Sequence, residues 1–131
     1  MDKIIIHCSD TPNGRHHTAE DIHRWHLERG WSGVGYHYII RTDGVIDNGR
    51  PEYWKGSHAY GNNSNSIGIC LIGRDDFTDE QMNSLYEKVG ELIVKYPEAK
   101  VIGHNEVSNK SCPNFDVQEW LSNVFVNGGS L

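Results

Sequence analysis

Residues 67–73, IGICLIG, form an unbroken apolar run bounded by turn-forming residues. The run is far too short to cross a membrane as a helix, and it has no polar face to turn towards water. As a strand it must be covered on both sides, which places it in the middle of a sheet with other elements packed above and below. A second run, KIIIHC at 3–8, is apolar and β-branched until SDTPNGR supplies turn residues. It reads as another buried strand, with His7 near its C-terminal end.

The segments around these runs read as helices and shorter strands. In TAEDIHRWHLERGW, Thr18 predicts an N-cap with Asp21 three residues on. Ile22, Trp25 and His26 share one face of that helix, and Gly30 stops it. VGYHYIIRTDGVI predicts two strands joined at Asp43-Gly44. Alternation there puts Tyr36, Tyr38 and Ile40 on one face, with His37, Ile39 and Arg41 on the other. Residues 48–66 are rich in Gly, Asn and Ser, and loops of that length are usually functional or disordered.

The clearest helix opens at Thr78 with Gln81 as its capping-box partner, repeats Met82, Leu85, Tyr86, Val89, Leu92, Ile93 and Tyr96, and ends at Pro97. AKVIG predicts a short strand. Asp116 caps VQEWLSNVF, with Glu119 at the reciprocal position and Trp120, Leu121 and Val124 facing inward, and residues 126–131 read as a frayed tail. The expected architecture is α/β (α+β): one domain over 1–131, with a central mixed sheet of four or five strands flanked by about three helices.

Composition narrows the function. A chain of 131 residues with 37% hydrophobic and 23% charged residues matches one soluble globular domain. A net charge of −6 argues against general affinity for nucleic acid or anionic lipid. No nucleic-acid partner and no membrane insertion are expected. The opening MDKIIIHCSD has no signal-peptide pattern, so synthesis in the cytoplasm is expected. The three cysteines are an odd number at wide spacing, which suits a reducing compartment. Cys8 and Cys70 lie in the apolar runs and read as small core residues.

Cys112 has no such explanation. It lies in GHNEVSNKSCPNFD, residues 103–116, a polar stretch that also carries His104 and Lys110. His7 and His104 each end an apolar run and enter a turn-rich loop. If their strands are neighbours, both imidazoles emerge at one edge of the sheet and Cys112 returns to meet them. Two imidazoles and a thiolate make three ligands for Zn²⁺ with a fourth position open to water, the pattern of a catalytic site. The residues are equally compatible with a surface histidine, a solvated lysine and a half-buried thiol, since the spacing is no generic zinc signature.

Four blocks, IIIHCSDT, GWSGVGYHYIIRTDG, GSHAYGNNSNSIGICLIG and GHNEVSNKSCPNFD, occur in that order from about residue 3 to residue 122. Together they resemble the type 2 N-acetylmuramoyl-L-alanine amidases, a family whose fold is shared with peptidoglycan recognition proteins. The resemblance implies one Zn²⁺ held by His7, His104 and Cys112, with Tyr36 and Lys110 in the active site. His58, in GSHAYG, is expected near the substrate groove, and Trp54, Tyr60 and GNNSNS are candidates to line it. His16, His17, His23, His26 and His37 are expected at the surface or in packing.

The implied reaction is hydrolysis of the amide between the lactyl group of N-acetylmuramic acid and L-alanine. It would be carried out by a monomeric phage-type endolysin that lyses the host cell once it reaches the wall. Two alternatives accompany it. One is a non-catalytic peptidoglycan-binding module, which the presence of Cys112 disfavours. The other is an inhibitor of a phage RNA polymerase, a second role that one phage member of the family performs partly through an N-terminal extension. Here the first expected ligand is already at position 7, so that partner is not the main expectation.

Overall fold

A computed structural model describes residues 1–31 and 33–125; the tail expected at 126–131 lies outside them. The elements follow one another as β1 (Lys3–Cys8), α1 (Ala19–Glu28), β2 (Tyr38–Ile40), β3 (Ile46–Asn48), β4 (Ser66–Leu71), α2 (Asp79–Lys95), β5 (Lys100–Gly103) and α3 (Val117–Val124). A single 3₁₀ turn at His104–Glu106 follows β5 directly.

The five strands form one sheet in the order β3-β2-β4-β1-β5. β1 runs parallel to both β4 and β5, β2 runs parallel to β4, and only the β2–β3 hairpin is antiparallel. The apolar run that begins at Ile67 therefore supplies the central strand β4, buried along its whole length. Its two faces are covered as its lack of a polar side requires. Ile67, Ile69 and Leu71 join Ile4, Ile6, Leu85, Val89, Leu92 and Phe125 under α2 and α3. Cys70 and Ile72 join Ile22 of α1 and Ile39 on the opposite face. Each fully buried isoleucine contributes about 1.5–3 kcal/mol relative to exposure.

Two of the three predicted capping boxes form. The Thr18 hydroxyl accepts from the Asp21 amide while Asp21 accepts from the Thr18 amide, and Thr78 and Gln81 repeat the exchange. At α3 the Asp116 carboxylate accepts from the Glu119 amide at 3.1 Å, and the cap rests on that one bond among the described residues.

One sequence expectation fails at Tyr36. β2 begins at Tyr38, and Tyr36 packs with Ile22, Ile39 and Cys70, away from the face that holds Tyr38 and Ile40. The amides of Gly49 and Arg50 donate to the consecutive carbonyls of His37 and Tyr36, both at 2.9 Å. A regular antiparallel ladder engages alternate residues, so two consecutive ones mark an irregularity that breaks the alternation. The result carries the Tyr36 ring to the α1 side of the sheet, the side that His7 also faces.

Candidate active site

In an open sheet with parallel strands, ligands bind beyond the carboxyl ends of the strands. β1 and β5 are parallel neighbours in the register Ile6↔Gly103, so the two chains run side by side into His7 and His104. The ring centroids of the two histidines are 4.4 Å apart. The loop after the 3₁₀ turn then returns Cys112 to the end of β1, where the Cys8 amide donates to the Cys112 Sγ at 2.8 Å. One ligating atom from each of His7, His104 and Cys112 lies within 4.8 Å of the others. The three residues singled out in the sequence thus converge.

The electrostatics favour ligation. Burial pushes the pKa of His7 well down, and His58 and His104 nearby push it further. Burial lowers His104 too, with the Lys110 ammonium adding to the effect. Both imidazoles are therefore neutral near pH 7 and have a lone pair to offer. The Cys112 thiol is pushed up by its hydrogen bond with the Cys8 side chain and by burial. A bound cation would reverse that preference, because a coordinating thiol is deprotonated outright. Two nitrogens and one sulphur suit Zn²⁺ better than a hard cation that prefers oxygen.

A pocket of about 390 Å³ opens onto this cluster, and Tyr36, His58, Tyr60 and Lys110 all reach its wall. The Tyr36 ring centroid is 5.1 Å from that of His7. Burial raises the Tyr36 pKa well above 10, with the sulphurs of Cys70 and Cys112 adding to it, so the group remains a protonated phenol. His58 Nδ1 is 2.8 Å from His7 Nε2, and its Nε2 is 3.1 Å from the Ser66 hydroxyl.

Several pocket residues carried another reading or none in the sequence, His26 having been expected at the surface or in packing. Cys8, read as core, presents its amide to Cys112 because it is the last residue of β1. His26 and Trp31 also line the pocket, their rings 4.7 Å apart. The positions of Trp31 just past Gly30 and of His26 on the apolar face of α1 were the only signals. Trp54 lies elsewhere, at a larger hollow of about 600 Å³ beside Glu20, His23 and Arg50. His37 is fully buried and bonds the Trp54 carbonyl and the Gly68 amide, a packing role as expected.

The fold and the cluster together define a class: a small α/β protein with an open two-histidine, one-cysteine cluster at the carboxyl edge of its parallel strands. The chain belongs to the N-acetylmuramoyl-L-alanine amidase family, whose pattern it matches over residues 1–115. It is 44% identical over 127 residues to the endolysin of Escherichia phage T7, an alignment that covers 91% of this chain and 84% of that protein. Among solved structures, the endolysin N-acetylmuramoyl-L-alanine amidase LysCS of Clostridium intestinale superimposes with a TM-score of 0.84 at 37% identity. That match covers 94% of this chain and 82% of the other. A mutant of Drosophila PGRP-LB, solved in complex with tracheal cytotoxin, superimposes with a TM-score of 0.81 at 27% identity, covering 98% and 83%. No helix among the described residues is long and apolar enough to cross a membrane.

Proposed function

We propose that this amidase is a zinc-dependent, phage-type endolysin that cleaves the amide between the lactyl group of N-acetylmuramic acid and the L-alanine of the stem peptide. The observation that carries the reading is the convergence of His7, His104 and Cys112 within 4.8 Å at the floor of a pocket that Tyr36 and Lys110 also line. The three donors would hold the metal. When bound, Zn²⁺ supplies Lewis acidity towards the amide carbonyl and lowers the pKa of water at the site.

The remaining roles belong to the chain's own side chains. Lys110 holds a positive charge at the pocket wall, close enough to His104 to shift its titration, and there it stabilises the negative charge that develops on the carbonyl oxygen. Tyr36, protonated throughout the neutral range, donates a hydrogen bond that orients the attacking water or the carbonyl. The rings of His26, Trp31 and Tyr36 form an aromatic wall of the pocket on the α1 side. The expected setting is a monomer made in the cytoplasm that acts on peptidoglycan after release.

Mass spectrometry of the products from purified peptidoglycan, with zinc and with a chelator, tests the reading. Free stem peptides beginning at L-alanine, absent under chelation, are the expected result. Glycan fragments with peptides attached would replace the amidase with a glycosidase. No release at all from a protein that still binds the polymer would leave a binding module.

A further inference from the structure

We propose that His58 is a positioning residue for the metal ligand His7, and that the chain Asn62–Ser66–His58 fixes the tautomer in which His7 offers its Nδ1 to the metal. The metal part rests on the ligand reading given above.

The argument follows one proton at a time. Ser66 Oγ is 2.6 Å from the Asn62 carbonyl oxygen and 3.3 Å from that of Asn63. A carbonyl only accepts, so the single hydroxyl proton of Ser66 is directed to the backbone. The hydroxyl oxygen therefore presents a lone pair to His58 Nε2, 3.1 Å away, and that nitrogen must carry the N–H. A neutral imidazole has one N–H, and the contact with Ser66 places it on Nε2. Its Nδ1 is then an acceptor. At 2.8 Å from that acceptor, His7 Nε2 must be the donor. With its N–H on Nε2, His7 has one nitrogen left with a free lone pair, Nδ1. Each step follows from the atom types and distances.

The surroundings leave room for the ring at this position. A Cβ on Gly56 would lie 2.4 Å from His58 Cδ2, and one on Gly68 would lie 2.6 Å from its Cγ. Neither position admits a side chain while the ring is there. Gly68 is in β4, opposite Ile5 of β1, so its missing side chain opens a slot in the sheet one step from His7. The backbone is fixed as well, since the amides of His58 and Ala59 both donate to Asn63 Oδ1, at 2.7 and 2.8 Å. Both ring nitrogens of His58 are thus engaged by the protein. What it reaches in the pocket is offered through its carbon edge, while its hydrogen bonds act on His7. Ligand histidines in zinc sites depend on such a partner for tautomer and orientation, and its loss costs about 10–100-fold in metal affinity.

Two measurements test the proposal. Long-range ¹⁵N–¹H correlation spectra of the metal-free wild-type protein report the tautomers directly. His7 and His58 should both be Nε2–H, and a His7 protonated on Nδ1 overturns the proposal without any substitution. Competition with a chromophoric chelator reports Zn²⁺ affinity. His58→Ala should weaken it by about 10–100-fold. His58→Asn, whose Oδ1 replaces the Nδ1 acceptor, should recover most of the loss. Ser66→Ala, which leaves the ring in place, should weaken zinc binding less and allow the other tautomer of His58 in the spectra. Folded His58→Ala protein with wild-type zinc affinity overturns the positioning role alone. Wild-type protein that takes up no zinc overturns the ligand reading instead, and the spectra keep the two failures apart.

Discussion

The backbone amide of Cys8 donates to the Sγ of Cys112 at 2.8 Å, joining positions 104 residues apart in sequence. An amide aimed at sulphur favours the thiolate, so the end of β1 contributes His7 as a ligand and supports a second ligand from the loop. Replacing Cys112 by Ser keeps an acceptor for that amide but removes the soft donor. Loss of a supporting partner alone costs about 10–100-fold in metal affinity, so loss of the ligand itself should cost more than about 100-fold. Cys112→Ser should therefore purify without stoichiometric zinc and lack amidase activity, while its circular dichroism stays that of the wild type. Metal analysis of the dialysed protein checks the first part. Wild-type zinc content in an active variant would show that the thiolate is not a ligand.

Lys110 should behave differently. Its ammonium lines the pocket without belonging to the three-donor cluster. Lys110→Ala should retain zinc and lose about 10²–10³ in kcat, the usual cost of removing one group that faces developing negative charge. Steady-state kinetics on a soluble muropeptide, alongside metal content, separate this from a ligand defect. The variant should also raise the pKa of His104, because the cation that helps lower it is gone.

The raised pKa of Tyr36 gives a pH prediction with a definite sign. Burial holds the phenol protonated well above pH 10, so its deprotonation cannot produce a falling rate between pH 7 and 10. Tyr36→Phe should lower kcat by about tenfold, as expected for the loss of one hydrogen bond of roughly 1.5 kcal/mol in the transition state. The shape of the alkaline limb should be unchanged. A limb that disappears in Tyr36→Phe would assign the titration to this residue.

What could be read from the sequence follows from how local each feature is. Thr18 with Asp21 and Thr78 with Gln81 are exchanges within four residues, and both helix starts were legible. The burial of IGICLIG followed from its having no polar face. His7 and His104 could be joined only on condition that their strands were neighbours, because 91 residues separate the end of β1 from the start of β5 and a hydrophobic pattern carries no strand order. Tyr36 was placed on the wrong face because an irregular pairing with Gly49 and Arg50 interrupts the alternation, and no residue type near it signals the break. Cys8 read as core because its apolar neighbours describe its side chain, whereas its contribution to the site is a backbone amide. The His58–His7 contact was hidden for a third reason: it exists because Gly68, a residue with no side chain to notice, leaves room for the ring.

The loop that carries His58 is tied to the far side of the fold by Glu52, and this gives an acid-stability prediction. The Glu52 carboxylate accepts from the Tyr38 hydroxyl, from Lys95 Nζ at 2.9 Å and from the Tyr96 hydroxyl at 2.7 Å. Burial alone would raise its pKa, but these donors outweigh it and bring the group to about 2. A carboxylate whose pKa is lower folded than unfolded stabilises the native state above the unfolded value, near 4.5, and loses that contribution as pH falls towards 2. Partial exposure and salt reduce the effect to about 1–2 kcal/mol at pH 7. Glu52→Gln should therefore be less stable than wild type by about that amount at neutral pH, and the gap should close as the pH is lowered from 5 to 2. Urea unfolding at several pH values measures it. A gap that stays constant across this range would mean that Glu52 stabilises the loop by packing, with its charge contributing nothing.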